Sequence, residues 1–163
     1  MSTKYLNFSK KKWNIKKNYF DFCFTNQTIE HLYDIDNFIK NISNILKKGK
    51  LCLISTENLA SWHNVMALAF GYQPFALTNM SSKKWTIGNP FSRPKGHSSN
   101  FMKHRAVFTL TALEEFVKLY NFKIVKTIVA GYFPFPNNKF GNFFARIDPK
   151  RATYIALLIK KNN

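Results

Sequence analysis

Residues 19–56 read YFDFCFTNQTIEHLYDIDNFIKNISNILKKGKLCLIST, and their order decides the fold class. Phe20 to Phe24 is a short apolar run of the kind buried on both faces of a parallel sheet. Thr25 to His31 is the polar turn that leaves it. Asp34 or Asp36 then caps a helix whose apolar residues Phe38, Ile39, Ile42, Ile45 and Leu46 recur at spacings of three and four. Lys47 and Lys48 suit the negative end of that helix, and Gly49 supplies its left-handed stop. Leu51 to Ser55 is a second strand. A strand, crossover helix and strand of these lengths predict two parallel neighbours joined by a right-handed connection.

In front of this unit, residues 1–18 carry Lys4, Lys10, Lys11, Lys12, Lys16 and Lys17 without periodicity, which predicts a flexible basic arm. Residues 19–163 are expected to form one domain. Asn58 to Phe70 reads as a helical stretch ending at Gly71. The segment from Tyr72 to Arg105, rich in Pro, Gly, Ser and Asn, is long for a loop in a compact domain and so is expected to be functional. Thr111 and Glu114 make a capping box ahead of Leu113, Phe116, Val117 and Tyr120 on one helical face. Phe122 to Ala130 reads as a strand. Pro134, Pro136, Pro149 and Gly141 make Gly131 to Lys150 read as loop, and Thr153 to Ile159 is a last strand.

A chain of 163 residues that is 45% hydrophobic can bury a core, which excludes disordered and fibrous classes. Cys23 and Cys52 both sit in apolar strand-like runs and are expected to be buried, reduced thiols, so a reducing, cytoplasmic compartment is expected. No signal segment opens the chain, and no apolar run is long enough to span a bilayer. The net charge of +17 suits an anionic partner. The excess is lysine, however, and Arg93, Arg105, Arg146 and Arg151 are scattered, so a solvated basic surface and a nucleic-acid site both stay open. Salt-dependent, non-specific nucleic-acid binding follows from either.

Three segments in order, FDFCFTNQTIEHL, ILKKGKLCLIST and GHSSNFMKHRAVFTLTALEEFVKLYNFKIVK, resemble the carboxyl-terminal half of a class I S-adenosylmethionine-dependent methyltransferase of the type 11 and 12 kind. The resemblance covers roughly residues 13–160. It implies an α/β fold: a partial doubly wound, Rossmann-like sheet, its parallel strands followed by an antiparallel terminal pair, with the first three strands missing. It also implies an enzyme that transfers a methyl group from S-adenosylmethionine to a small-molecule acceptor. Within this half of the family fold, the stretch facing the cofactor matches Thr25, Asn26 and Gln27. The family's glycine loop is not found, since no G-x-G occurs in these 163 residues. The chain is then expected to be a fragment, to be completed by another chain or by self-association through Phe20–Phe24, or to be a non-catalytic relative. The rival class is a basic binding module for RNA or DNA without catalysis.

The catalytic candidates are His104, Glu30 and His31. Glu30 and His31 stand at a helix start beside the first strand's end, where they would orient a substrate or relay a proton. A carboxylate in a helix's first turn also has a structural reason to be there. An imidazole at His104 would serve as base for a hydroxyl or amine, and a loop histidine is equally a structural residue. His63 and His97 have no Cys or carboxylate at ligand spacing, so no metal site is expected. Trp62, Tyr72, Phe75 and Trp85 would wall an apolar pocket or pack as ordinary core. No serine or cysteine has a paired base, so covalent catalysis is not supported.

Overall fold

The computed structural model describes residues 7–8, 10–81, 83–92, 103–135 and 138–162. Four strands form one mixed sheet: β1 (Phe20–Asn26), β2 (Leu46–Glu57), β3 (Phe122–Ala130) and β4 (Tyr154–Lys161). Their spatial order is β1-β2-β4-β3, with β1 parallel to β2 and β4 antiparallel to both its neighbours. The helices are α1 (Ile35–Ile45), α2 (Trp62–Ala69), α3 (Leu110–Lys118) and α4 (Lys139–Ile147). The expected parallel pair followed by an antiparallel terminal pair is present, with β4 slotted between β2 and β3.

Helix α1 starts at Asp34, whose Oδ1 accepts from the Asn37 amide at 2.8 Å. Its stripe of Phe38, Ile39, Ile42 and Ile45 is buried, and so are Leu113 and Val117 of α3. These side chains join Cys52 and Ile54 of β2 and Ile155, Leu157 and Ile159 of β4 in one core on one face of the sheet. Alternation along a strand sends every second residue to that face. Leaving them there removes apolar surface from water, the main drive for this packing.

The local ends differ from the sequence expectation in three places. Helix α1 stops at Ile45, because Leu46 is fully buried, extended and paired with Phe20. Gly49, with φ +70°, lies inside an irregular stretch of β2, where the register slips between Phe20 and Phe22. The cation at the negative end of α1 is Lys161 from the far end of β4, which donates to the Ser43 carbonyl and to the Leu46 carbonyl at 2.8 Å. Lys47 and Lys50 instead bracket Asp21, at 2.8 and 3.2 Å, and the Lys47 hydrogen bond is the first cause holding that carboxyl below its usual range. Helix α3 is capped by Thr109, not Thr111, and Glu114 accepts from Thr127 on β3 rather than closing a capping box. Helix α4 occupies the segment read as loop. Asn138 accepts from the amides of Phe140 and Gly141, and Ala145 is fully buried, so capping and packing outweigh the prolines that flank it.

Residues 10–18, read as the end of a basic arm, lie against α1. Trp13 is buried, its amide donates to Asn41 Oδ1 at 3.2 Å, and Asn37 and Asn41 donate back to the Lys10 and Lys11 carbonyls. The arm's residues 1–6 and 9 lie outside the described residues.

Strand β1 is an edge, as expected of this run when no further strand flanks it, and its phenylalanines are less buried than an apolar run inside a parallel sheet would be. Cys23 and Thr25 turn toward the core, while Phe22 and Phe24 on the opposite face are 52% and 62% exposed. Among the described residues no helix covers them. An apolar groove of about 310 Å³, lined by Trp13, Phe20, Phe22, Phe38 and Ile42, runs between this edge and α1.

Lys161 donates to carbonyls that α1 would otherwise leave without partners. Lys161→Met is expected to lower stability by about 1 kcal/mol in urea unfolding, at the low end because the ammonium is partly solvated. An unchanged midpoint would show that water satisfies those carbonyls equally well.

Candidate functional site

The carboxyl ends of β1 and β2 open onto the same side of the sheet, and the candidate residues gather there. Strand β1 ends at Asn26, and Gln27 takes a left-handed φ of +49° that turns the chain away. Ser55 on β2 fixes this corner twice. Its hydroxyl donates to Asn26 Oδ1 at 2.6 Å, and its carbonyl accepts from the Gln27 amide at 3.1 Å. The Thr25 hydroxyl is buried and has no hydrogen-bond partner among the described residues. Asn26 and Gln27 line a shallow cleft with Ser55, Ala130 and Tyr154.

A short 3-10 turn, Ile29–His31, follows and places Glu30 in the interior. Glu30 is fully buried, and its Oε2 accepts from the Thr56 hydroxyl at 2.9 Å. Its main-chain carbonyl accepts from the amides of Arg105, at 2.6 Å, and Ala106, at 3.3 Å. The loop before α3 is thereby drawn to the end of β1, and the His31 and His104 rings meet with centroids 4.8 Å apart. His104 Nδ1 lies 2.6 Å from the Ala76 carbonyl and His31 Nδ1 lies 3.3 Å from that of Lys103. One ligand atom from each of Glu30, His31 and His104 lies within 4.8 Å of the others.

A cavity of about 320 Å³ adjoins this cluster, with His104, Glu57, His63, Phe75, Trp85 and Tyr154 in its walls. Tyr154 lines both this cavity and the cleft at Asn26, so the two spaces are neighbours. The long segment is held over the cavity by amides. Asn58 donates to the Ala152 carbonyl at 2.7 Å, Asn64 donates to the Asn58 carbonyl at 3.0 Å, and Asn64 Oδ1 accepts from the Ala76 amide at 3.2 Å. Ala76 in turn receives His104.

All six residues singled out from the sequence thus lie at one end of the sheet, Thr25, Asn26 and Gln27 on the β1 corner and Glu30, His31 and His104 beside the cavity. Of the aromatic candidates, Phe75 and Trp85 wall the cavity. Trp62 is tied elsewhere, donating to the Tyr132 hydroxyl at 2.8 Å, and Tyr72 packs on Phe91. His63 lines the cavity, and His97 and Arg93 lie outside the described residues. Sequence reading missed Glu57, whose Oε2 is 3.8 Å from His104 Nδ1, although its place at the end of the LCLIST strand was a usable signal. It also missed Thr56 and the Asn58–Asn64 pair, whose roles depend on distant main-chain groups.

Residues 3–127 match a family profile described as a methyltransferase domain. A solved S-adenosylmethionine-dependent methyltransferase from Thermotoga maritima, a possible histamine N-methyltransferase, is similar at TM-score 0.56 and 14% identity, over 91% of this chain and 59% of that one. An S-adenosylmethionine-dependent methyltransferase from Methanosarcina mazei is similar at 0.57 and 15%, over 96% and 65%. A proposed methyltransferase from Haloferax volcanii, solved with the Trm112 methyltransferase activator, is similar at 0.51 and 8%, over 92% and 57%. The chain spans less than two thirds of the length of each of these three. No curated protein matches the sequence.

Cys23 pairs in register with Cys52 just behind the Thr25 corner, and both thiols are free. Burial pushes the Cys23 thiol up to about 11 and raises Cys52 further, with Cys23 itself a second cause. Two units above an ordinary thiol cut the thiolate fraction at pH 8 by about 100-fold. Iodoacetamide labelling at pH 8 is therefore expected to be slow in the folded chain and to reach the ordinary rate in denaturant. Fast labelling of the folded chain would contradict this packing.

Proposed function

This chain belongs to the methyltransferase domain family, and from that premise we propose that it serves methyl transfer from S-adenosylmethionine to a small-molecule acceptor in a reducing, cytoplasmic setting. The observation that carries the reading is that two spaces at one sheet end, the polar corner of β1 and the walled cavity, share Tyr154 as a wall. Thr25, Asn26 and Gln27 would hold the methionyl part of the cofactor. The Asn26 side chain, oriented by Ser55, and the turned Gln27 line the cleft and fit a ligand with amine and carboxylate groups, while Thr25, whose side chain faces the core, would contribute main chain only. When bound, the cofactor supplies a methyl group already activated on a sulfonium.

What is left for the chain is positioning. The Ala76 carbonyl can only accept, so His104 carries its proton on Nδ1 and offers Nε2 as the site for an acceptor's proton. Glu30 and His31 hold that imidazole in place. Phe75 and Trp85 exclude water from the acceptor.

The glycine loop of the family has no counterpart among these residues, and β1 offers an open edge beside an apolar groove. Cofactor binding in this proposal requires a further strand–loop–helix unit on that edge, supplied by another polypeptide segment. A second reading rests on the charge of +17, which favours a non-catalytic basic module on RNA or DNA. A salt titration of the completed form tells it apart, since a steep slope of log affinity against log salt with no cofactor binding by that form belongs to that module alone.

Calorimetry with S-adenosylmethionine is expected to give no saturable heat with the chain alone. A 1:1 isotherm is expected once a segment carrying a family glycine loop is co-expressed, and Asn26→Ala is expected to weaken it by about tenfold, the loss of one good polar contact. Absence of binding by the completed form would refute the methyl-transfer reading, and tight binding by the lone chain would refute the need for completion. Without a partner, the apolar edge is expected to drive self-association in sedimentation, suppressed in a Phe22→Lys, Phe24→Lys variant.

A further inference from the structure

Glu30 is fully buried, yet only one of its carboxylate oxygens is satisfied. Oε2 accepts from Thr56, while Oε1 has no hydrogen-bond partner among the described residues. A buried carboxylate oxygen left without a donor is unfavourable, so a cation or a donor is wanted at that point. Two imidazoles stand beside it, His31 and His104, with one ligand atom of each within 4.8 Å of the others and of the carboxylate. Both rings have Nδ1 against a main-chain carbonyl, Lys103 for His31 and Ala76 for His104. A carbonyl only accepts, so Nδ1 is protonated in each ring and Nε2 holds the lone pair. Carbonyls that hold Nδ1–H and leave Nε2 free are the usual outer support of metal-binding histidines. The adjacent Arg105 guanidinium is turned away, 3.3 Å over the Tyr33 ring.

We propose that Glu30, His31 and His104 bind a divalent transition-metal cation through Glu30 Oε1 and the two Nε2 atoms. Two imidazoles and one carboxylate suit Zn²⁺, Mn²⁺ or Fe²⁺, whereas Mg²⁺ and Ca²⁺ prefer oxygen alone. A shared cation at about 2.1 Å from each donor requires roughly 3.4 Å between donors in a tetrahedral site, so the cluster would close from its present separation of up to 4.8 Å on binding. Three protein ligands leave coordination open. His104 is also a wall of the cavity, which puts the open position within reach of an acceptor bearing a hydroxyl or carboxylate oxygen. That last role rests on the methyl-transfer reading and would replace His104 as base, since a cation-bound Nε2 has no lone pair for a proton, whereas the cation site does not rest on that reading.

The test is a titration of the full chain with Co²⁺, followed by visible absorption, and with Zn²⁺ by calorimetry, in a buffer free of chelators at pH 7.5. One saturable site is expected, with the d–d bands of nitrogen and oxygen ligation and no thiolate charge-transfer band. Loss of an outer support costs metal sites about 10- to 100-fold in affinity, so His31→Ala and His104→Ala, which remove ligands, are expected to lose more than that. His63→Ala, in the same cavity, is expected to change nothing. Should Glu30→Gln fail to fold, the histidine variants carry the test. Absence of a saturable site, or a site indifferent to both histidine variants, overturns the proposal and leaves His104 as a base with its methyl-transfer role intact.

Discussion

The buried Glu30 holds the functional end of this molecule together. Its side chain binds Thr56 on β2, and its carbonyl binds the amides of Arg105 and Ala106 in the loop before α3. Three segments far apart in sequence therefore converge on one residue that follows β1. Burying a carboxylate is tolerable only where such partners are built in. Once they are, His31 and His104 have little choice but to meet, because each is adjacent in sequence to a pinned group.

A second constraint is the asymmetry of the sheet. One face is closed by α1 and α3 over a continuous apolar core, while β1 presents an open edge and exposed phenylalanines on the other. Parallel strands are stable when both faces are covered, so β1 in isolation is in an environment that its composition does not suit. Asp21, held between Lys47 and Lys50, puts charge on this edge, which is a modest defence against pairing with other chains. The same openness leaves the corner at Asn26 accessible, so the structural weakness and the proposed cofactor side coincide.

The cavity is shaped by amides rather than by a rigid element. Asn58 and Asn64 tie the long segment back to the end of β4, and the Ala76 carbonyl that they position in turn orients His104. Hydrogen bonds from side chains to main chain do here what helix packing does elsewhere, since the segment carries too few apolar residues in periodic order to bury itself. Methyl transfer demands positioning more than acid–base strength, and such a frame meets that demand.

Much of the architecture was legible because it depends on local periodicity. The 3-and-4 spacing of Phe38 to Ile45 and the β3 run Phe122–Ala130 needed no neighbours to be read, and neither did the strand–helix–strand order that gives β1 and β2 their parallel pairing. The local ends and the partners were not legible. Lys161 rather than Lys47 completes α1, Thr109 rather than Thr111 caps α3, and α4 forms between prolines that signalled a loop. The first depends on groups that only folding brings together, while the two caps are local competitions between neighbouring candidates that burial of the helix faces decides. By itself the sequence determined the element types other than α4 and brought out six of the residues at the functional end, because side-chain spacing and polarity are local properties. Only the tertiary structure decided that Glu30, His31 and His104 share one site and that Phe22 and Phe24 face open space, because distance and burial are set by the packing of segments that the chain order keeps apart.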